Sequence, residues 1–277
     1  MKVLFVGNSH SYFNDMPRTF ADLYEGLTGE KVDVTMLAYS WKDLEWHMSV
    51  EYFTVRYNIL HGGYDYCIIQ QAAHPFPGEE TTMENAARIA ELCDKVGVKK
   101  IMIQAWAEKI YPEHQELLST ANAKVAEAIG AQLAPMGPIW EKIRRVDGDI
   151  ELYWQDGEHA GPYGAFSIAA TLCAMISGRK ASEIEETFAC GDAASAGEKK
   201  PLPFRDFVQG MDLDFHHPRV LENPAEILVD PEPEKIKTIL EIVDEYLKKN
   251  AGDAISRIAQ GSGGRGSAWR LCRSLSG

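Results

Sequence analysis

The chain has 277 residues, of which 45% are hydrophobic and 25% charged. That is the make-up of a globular protein with a sizeable core. Its formal net charge of -13 excludes a generic nucleic-acid or anionic-membrane binder, because both partners demand a basic surface.

Lys2 to Val6 reads as a buried strand, followed by the turn Gly7-Asn8-Ser9-His10-Ser11. Met16 to Leu27 reads as a helix, with Asn14 or Asp15 as cap and Pro17 in its first turn. Lys31 to Leu37 alternates Val32, Val34 and Met36 with polar residues, a strand pattern. Asp43 to Leu60 is expected to be helical, Tyr64 to Gln70 a buried strand, Thr82 to Val96 a helix and Lys100 to Gln104 a strand. Pro112 to Ile129 reads as a helix closed by Gly130, Gln132 to Pro135 as a short strand, and Gly161 to Ser177 as an apolar helix ended by Gly178. This alternation predicts a three-layer α/β/α sandwich, flavodoxin-like, with a central parallel sheet of about five strands. The crossovers should be right-handed.

Lys180 to Pro231 is rich in proline and acid and reads as loops and short helices. Glu232 to Lys249 reads as an amphipathic helix, with Ile236, Ile239, Leu240, Ile242, Val243 and Leu247 near one face. Residues 1–250 are therefore expected to form one domain. Residues 251–277 are Gly/Ser/Arg-rich and read as a flexible tail of the kind an expression vector appends. Gly261-Ser262-Gly263-Gly264-Arg265-Gly266 is a formal GxGxxG, but no predicted strand precedes it and no predicted helix follows, so no nucleotide site is read from it.

No apolar run reaches the length of a membrane span. Only four apolar residues separate Lys2 from Gly7, too few for a signal peptide. Cys67, Cys93, Cys173, Cys190 and Cys272 lack metal-type spacing, and their scatter suits reduced thiols. A cytoplasmic location is expected.

Two segments far apart in sequence carry the chemistry. Ser9 follows the first strand, where an α/β sheet exposes a residue at its carboxyl edge. A serine hydroxyl needs an adjacent base to act as a nucleophile. Asp156-Gly157-Glu158-His159 supplies one: Asp156, three residues before His159, can orient the imidazole and stabilise its protonated form. The alternative for Ser9 or Ser11 is helix capping, and for Asp156 and His159 a polar surface loop.

At these residues the chain resembles the SGNH (GDSL-type) hydrolases. VLFVGNSHSYFNDMP, Val3 to Pro17, is similar to the first block of a subfamily with Gly-Asn-Ser there. DGEHAGPYGA, Asp156 to Ala165, is similar to the last block with its DxxH. Tyr64 to Gln71, YDYCIIQQ, and Leu133 to Trp140, LAPMGPIW, also resemble that subfamily. The resemblance implies Ser9 as nucleophile, His159 as base, Asp156 as its orienting acid, and the Ser9 N–H as part of an oxyanion hole. The family's second block carries a glycine whose N–H completes the hole. Here the region reads Ala38-Tyr39-Ser40-Trp41-Lys42-Asp43-Leu44, leaving the Ser40 or Trp41 backbone as donor. The asparagine of the third block is replaced by Gln70, whose amide could serve as the third donor. Gln71 would point to the other face of the strand.

His10, Trp41, His74 and Trp154 neighbour these motifs and are candidates for substrate contact. His47 reads as packed on its helix. His216-His217 invites a metal, but adjacent histidines on an extended chain point apart and no carboxylate set accompanies them. No metal or cofactor is expected. The expected function is a serine esterase acting on small acyl esters, acetyl esters of carbohydrates above all. The alternatives are a carbohydrate-binding pseudoenzyme on the same fold and a thioester, amide or lipase-type acylhydrolase. Oligomeric state is not legible.

Overall fold

A computed structural model describes residues 1–190, 199–206, 211–212, 219–220 and 229–261. Five strands make the central sheet: β1 Lys2–Gly7, β2 Asp33–Ala38, β3 Tyr66–Ile69, β4 Lys99–Ile103 and β5 Gln132–Ala134. All run parallel, in the order β2-β1-β3-β4-β5. The helices are α1 Ser9–Tyr12, α2 Met16–Thr28, α3 Leu44–Ser49, α4 Tyr52–His61, α5 Glu79–Val96, α6 Gln115–Ala128, α7 Met136–Val146, α8 Pro162–Ser177, α9 Ile184–Thr187 and α10 Pro233–Gly261.

Side-chain alternation along the strands divides the core into two layers. Val3, Phe5, Ile68, Ile101 and Ile103 pack with α2, α7, α8 and α10. Leu4, Val6, Cys67, Ile69 and Met102 pack with α3, α4, α5 and α6. Strands buried on both faces read as continuous apolar runs, and β1 shows this clearly. The result is the three-layer α/β/α sandwich that the strand–helix alternation predicts.

The topology also places a crevice. The chain leaves β1 through α2, in one layer, and leaves β3 through α5, in the other. Adjacent strands whose following helices lie on opposite faces open a cleft at their carboxyl ends. Asn8–His10 follow β1 and Ala72–Pro75 follow β3, and both segments line one cavity.

Several expectations are corrected. The helix expected over 43–60 is broken between α3 and α4. Ser49 Oγ bonds back to the Glu45 and Trp46 carbonyls, a contact that competes with the helical ladder. Helix α7 is not among the expected elements; its Pro138 sits in the first turn, where no N–H is needed. Neither Asn14 nor Asp15 caps α2 with its side chain. Both take left-handed φ, 53° and 49°, and Asn14 is spent elsewhere. The segment after Lys180 contains two small strand pairs, Phe188–Ala189 with Lys200–Pro201 and Met211–Asp212 with Arg219–Val220. Helix α10 continues to Gly261, past Lys249 where the helix is expected to end. Residues 262–277, with most of the GxGxxG and Cys272, and His216-His217 lie outside the described residues. Among the described residues no helix is long and apolar enough to cross a membrane.

Gly161 joins the DxxH loop to α8, and a Cβ there would sit 2.6 Å from the Tyr153 carbonyl oxygen. Backbone cannot yield as a side chain does, so Gly161→Ala should destabilise by about 1–3 kcal/mol. Urea unfolding of the variant against wild type reads this directly.

Candidate active site

The nucleophile turn is built from the end of β1. Asn8 has extended backbone angles and its Oδ1 accepts from the His10 N–H at 3.1 Å, so Asn8 is the cap of α1. This answers the capping alternative for Ser9: the cap is supplied one residue earlier, and the Ser9 hydroxyl is left for other work. His47 Nε2 lies 2.6 Å from the Gly7 carbonyl, tying α3 to the same turn rather than merely packing on its helix. Gln70 Oε1 accepts from Ser11 Oγ at 2.6 Å and steadies the turn from below.

The other half of the site is a small hairpin. Tyr153 and Ala160 form an antiparallel bridge, with Trp154 N–H donating to the His159 carbonyl at 2.8 Å. Gly157, at φ 75°, supplies the left-handed residue the tight turn requires. Three outside donors hold the loop. Trp106 Nε1 reaches the Glu158 carbonyl at 2.8 Å, the Lys109 N–H reaches the Gly157 carbonyl at 2.8 Å, and Asn14 Nδ2 reaches the Ala160 carbonyl at 2.8 Å.

Docked in this way, the loop brings His159 Nε2 to 2.7 Å from Ser9 Oγ, and His159 Nδ1 to 2.6 Å from Asp156 Oδ2. The second oxygen of Asp156 accepts from the Glu158 and His159 backbone N–H groups at 2.9 and 3.0 Å. Burial alone would raise the Asp156 carboxyl, but the bonds from the His159 ring and the Glu158 backbone outweigh it and hold the acid below its ordinary range. The carboxylate therefore stays charged beside the imidazole. Ser9 and His159 are both buried. The His159 ring stacks on Phe13 at 3.9 Å and on His10 at 4.6 Å, with interplanar angles of 13° and 15°. Two rings this close and this parallel cannot share one face, so the imidazole is sandwiched and its orientation fixed.

Around the serine lies a cavity of about 90 Å³. Asn8, His10, Trp41, Asp43, His74 and Glu158 are among its walls. His10 packs edge-on against His74 and Trp106, at 5.5 and 5.3 Å between centroids. Burial, then the neighbouring His159 and His74, lowers His10 well below the usual imidazole value. Burial likewise pushes His74 down to about 4, although the Trp106 backbone carbonyl works in the other direction. Glu158 is raised, first by burial and then by Asp156 and Glu108.

The expected oxyanion donors divide. Trp41 lines the cavity and takes a φ of 63°, the conformation a glycine adopts without strain. A backbone conformation that favours glycine is thus carried by a residue that is 58% exposed at the cleft edge. Ser40, Gln70 and Trp154 are not among the described residues lining the cavity. Gln70 serves Ser11 instead, and Trp154 stands edge-on to Phe13 at 5.8 Å. Gln71, buried, fixes the cleft edge by accepting from the Leu44 N–H at 3.0 Å and donating to Thr82 Oγ1 at 3.1 Å. Phe13, Asn14, Trp106 and Glu158 were not legible as site residues. Only their nearness to the two motifs in sequence pointed to Phe13, Asn14 and Glu158, and nothing local pointed to Trp106. Among the described residues no group of three or more metal-ligating side chains is assembled.

No protein-family model and no curated protein sequence matches the chain. Solved structures do. A candidate SGNH hydrolase from Slackia heliotrinireducens superposes with a TM-score of 0.53 at 21% identity, covering 64% of this chain and 98% of its own. A candidate GDSL-like lipase from Parabacteroides merdae gives 0.50 at 14%, covering 64% and 95%. The chain has the SGNH hydrolase fold. A DUF4886 family protein from Bacteroides uniformis gives 0.56 at 16% and covers 89% of this chain and 94% of its own, so that likeness extends beyond the part shared with the other two.

The half-buried His74 has a measurable consequence. Its imidazole titrates near 4 in the folded protein against 6.5 unfolded. Below 6.5 the unfolded chain takes up a proton that the folded one refuses, so stability is full above that value and is lost as pH falls toward 4. The loss from this group is on the order of 3 kcal/mol. Urea unfolding at pH 7 and pH 4.5 should show a clear drop for wild type and a smaller one for His74→Phe.

Proposed function

We propose that the protein is a serine esterase that hydrolyses small acyl esters, acetyl esters of carbohydrates in particular, through an acyl-enzyme on Ser9. The observation that carries this reading is the Ser9–His159–Asp156 relay, with bonds of 2.7 and 2.6 Å, opening on the small cavity. That cavity of about 90 Å³ is well below the roughly 300–1,000 Å³ of drug-sized sites, which supports a short acyl group.

Ser9 Oγ adds to the ester carbonyl carbon while its proton passes to His159 Nε2. Negative charge develops on the carbonyl oxygen, held by the Ser9 N–H and the backbone of the Trp41 edge. Collapse breaks the bond to the alcohol, and the imidazolium returns the proton to the leaving oxygen. Water then adds to the acyl-enzyme, giving its proton to His159, and the acid departs as Ser9 recovers its hydrogen. Asp156 stays ionised throughout, fixing the tautomer and stabilising the imidazolium. The exposed indole of Trp41 at the cleft edge offers a flat apolar surface of the kind on which a sugar ring stacks.

A second reading, a carbohydrate-binding protein without turnover, draws on the same residue, because a bulky side chain stands where the family has a glycine. Hydrolysis of p-nitrophenyl esters of increasing chain length separates the two. Acetate should be the best substrate, Ser9→Ala should abolish turnover, and Asp156→Asn should lower kcat by on the order of 10⁴-fold. Equal rates in wild type and Ser9→Ala would move the binding reading to the front. Equal activity on long chains, with none on acetylated sugars, would reject the proposed substrate.

A further inference from the structure

Seven side-chain polar atoms are buried without a partner among the described residues, and three of them belong to residues lining the cavity beside Ser9: Asn8 Nδ2, His10 Nδ1 and His74 Nε2. A buried polar atom left unpaired is costly, and folded proteins keep few of them. Three gathered around one cavity beside a nucleophile mark a place where a ligand completes the bonding.

The chemistry of the two histidines narrows the ligand. Burial keeps both rings neutral, so each offers one N–H and one lone pair. Glu108 Oε1 stands 3.8 Å from His74 Nδ1, whereas His74 Nε2 has no partner among the described residues. A proton on Nδ1, on the side of the Glu108 carboxylate, leaves the unpartnered Nε2 as an acceptor. An acceptor in a site with no fixed positive charge suits a hydroxyl better than an anion.

The position of His10 says which half of the ester is read. His10 stacks on the base at 4.6 Å, and His74 packs edge-on to His10. In acyl transfer the base hands its proton to the leaving oxygen. Groups that adjoin the base therefore meet the alcohol half rather than the acyl half.

We propose that His10 and His74 form a subsite for a free hydroxyl on the alcohol half of the substrate, close to the ester oxygen, so that polyol and sugar esters are selected over simple alkyl or aryl esters. The inference rests on the esterase reading above and adds to it the residues that choose the alcohol.

The test is a ratio: kcat/KM for an acetylated pyranoside with a free neighbouring hydroxyl, divided by kcat/KM for p-nitrophenyl acetate. His10→Phe and His74→Phe keep a ring in place and remove its nitrogens. Each should lower the ratio by about ten-fold or more, the worth of one lost hydrogen bond. A ratio unchanged within about two-fold, whatever happens to the separate rates, overturns the proposal, since a purely structural role depresses both esters together. His74→Gln keeps an acceptor and serves if the Phe variant does not fold; it should retain more of the ratio than His74→Leu, and equal ratios count against the subsite. If wild type turns over neither ester, the esterase reading fails by itself. Calorimetric binding of the acetylated pyranoside to Ser9→Ala protein then decides the subsite: adding His74→Phe should weaken binding by about ten-fold, and undiminished binding, or none to begin with, overturns it.

Discussion

A histidine 150 positions along the chain from its serine meets it only if the loop that carries it is held on several sides. Here the holding is done by backbone carbonyls of the loop itself. Those of Gly157, Glu158 and Ala160 each accept a bond from a different part of the fold: the Lys109 N–H, the Trp106 indole and the Asn14 amide. None of these donors performs chemistry, yet each removes a freedom by which the imidazole could drift. A displacement of a single ångström is enough to spoil a proton transfer, so the whole reading of the cleft hangs on this docking.

Stacking completes what hydrogen bonding begins. Bonds at Nδ1 and Nε2 fix two points of the His159 ring and leave it able to rock about the line between them. Phe13 on one face and His10 on the other remove that motion. His10 is itself wedged against Trp106, which stacks on Trp140 at 4.3 Å. The base is thus continuous with the apolar layer under the sheet, and the rigidity of close-packed rings is passed to the reacting atom. The same crowding desolvates His10 and His74 and keeps them neutral, so packing sets the chemistry of the cleft wall as well as its shape.

The cleft edge shows a compromise. Trp41 holds a left-handed backbone that costs a non-glycine residue on the order of 1 kcal/mol or more. Gln71 and Asp43 carry that edge: one accepts from the Leu44 N–H, the other from the Trp46 N–H at 2.8 Å. A strained residue held in place by its neighbours puts a broad aromatic face at the mouth of the cavity.

The sequence by itself determined the sandwich, the number of strands, and the two segments that hold Ser9, Asp156 and His159. Those features are local: an apolar run of strand length, a turn after it, and a three-residue spacing between acid and base are written in neighbouring residues. Gln70 reads as a site residue because it takes the place of the family's third-block asparagine, and Trp154 because it adjoins the DxxH motif, but neither ground fixes where a side chain points; one is claimed by Ser11 and the other packs on Phe13. Helix α7, the break between α3 and α4, and the roles of Phe13, Asn14 and Trp106 were decided only by tertiary structure. Each depends on a partner distant in the chain, and no pattern of local propensity records which carbonyl, ring or amide will be brought within reach.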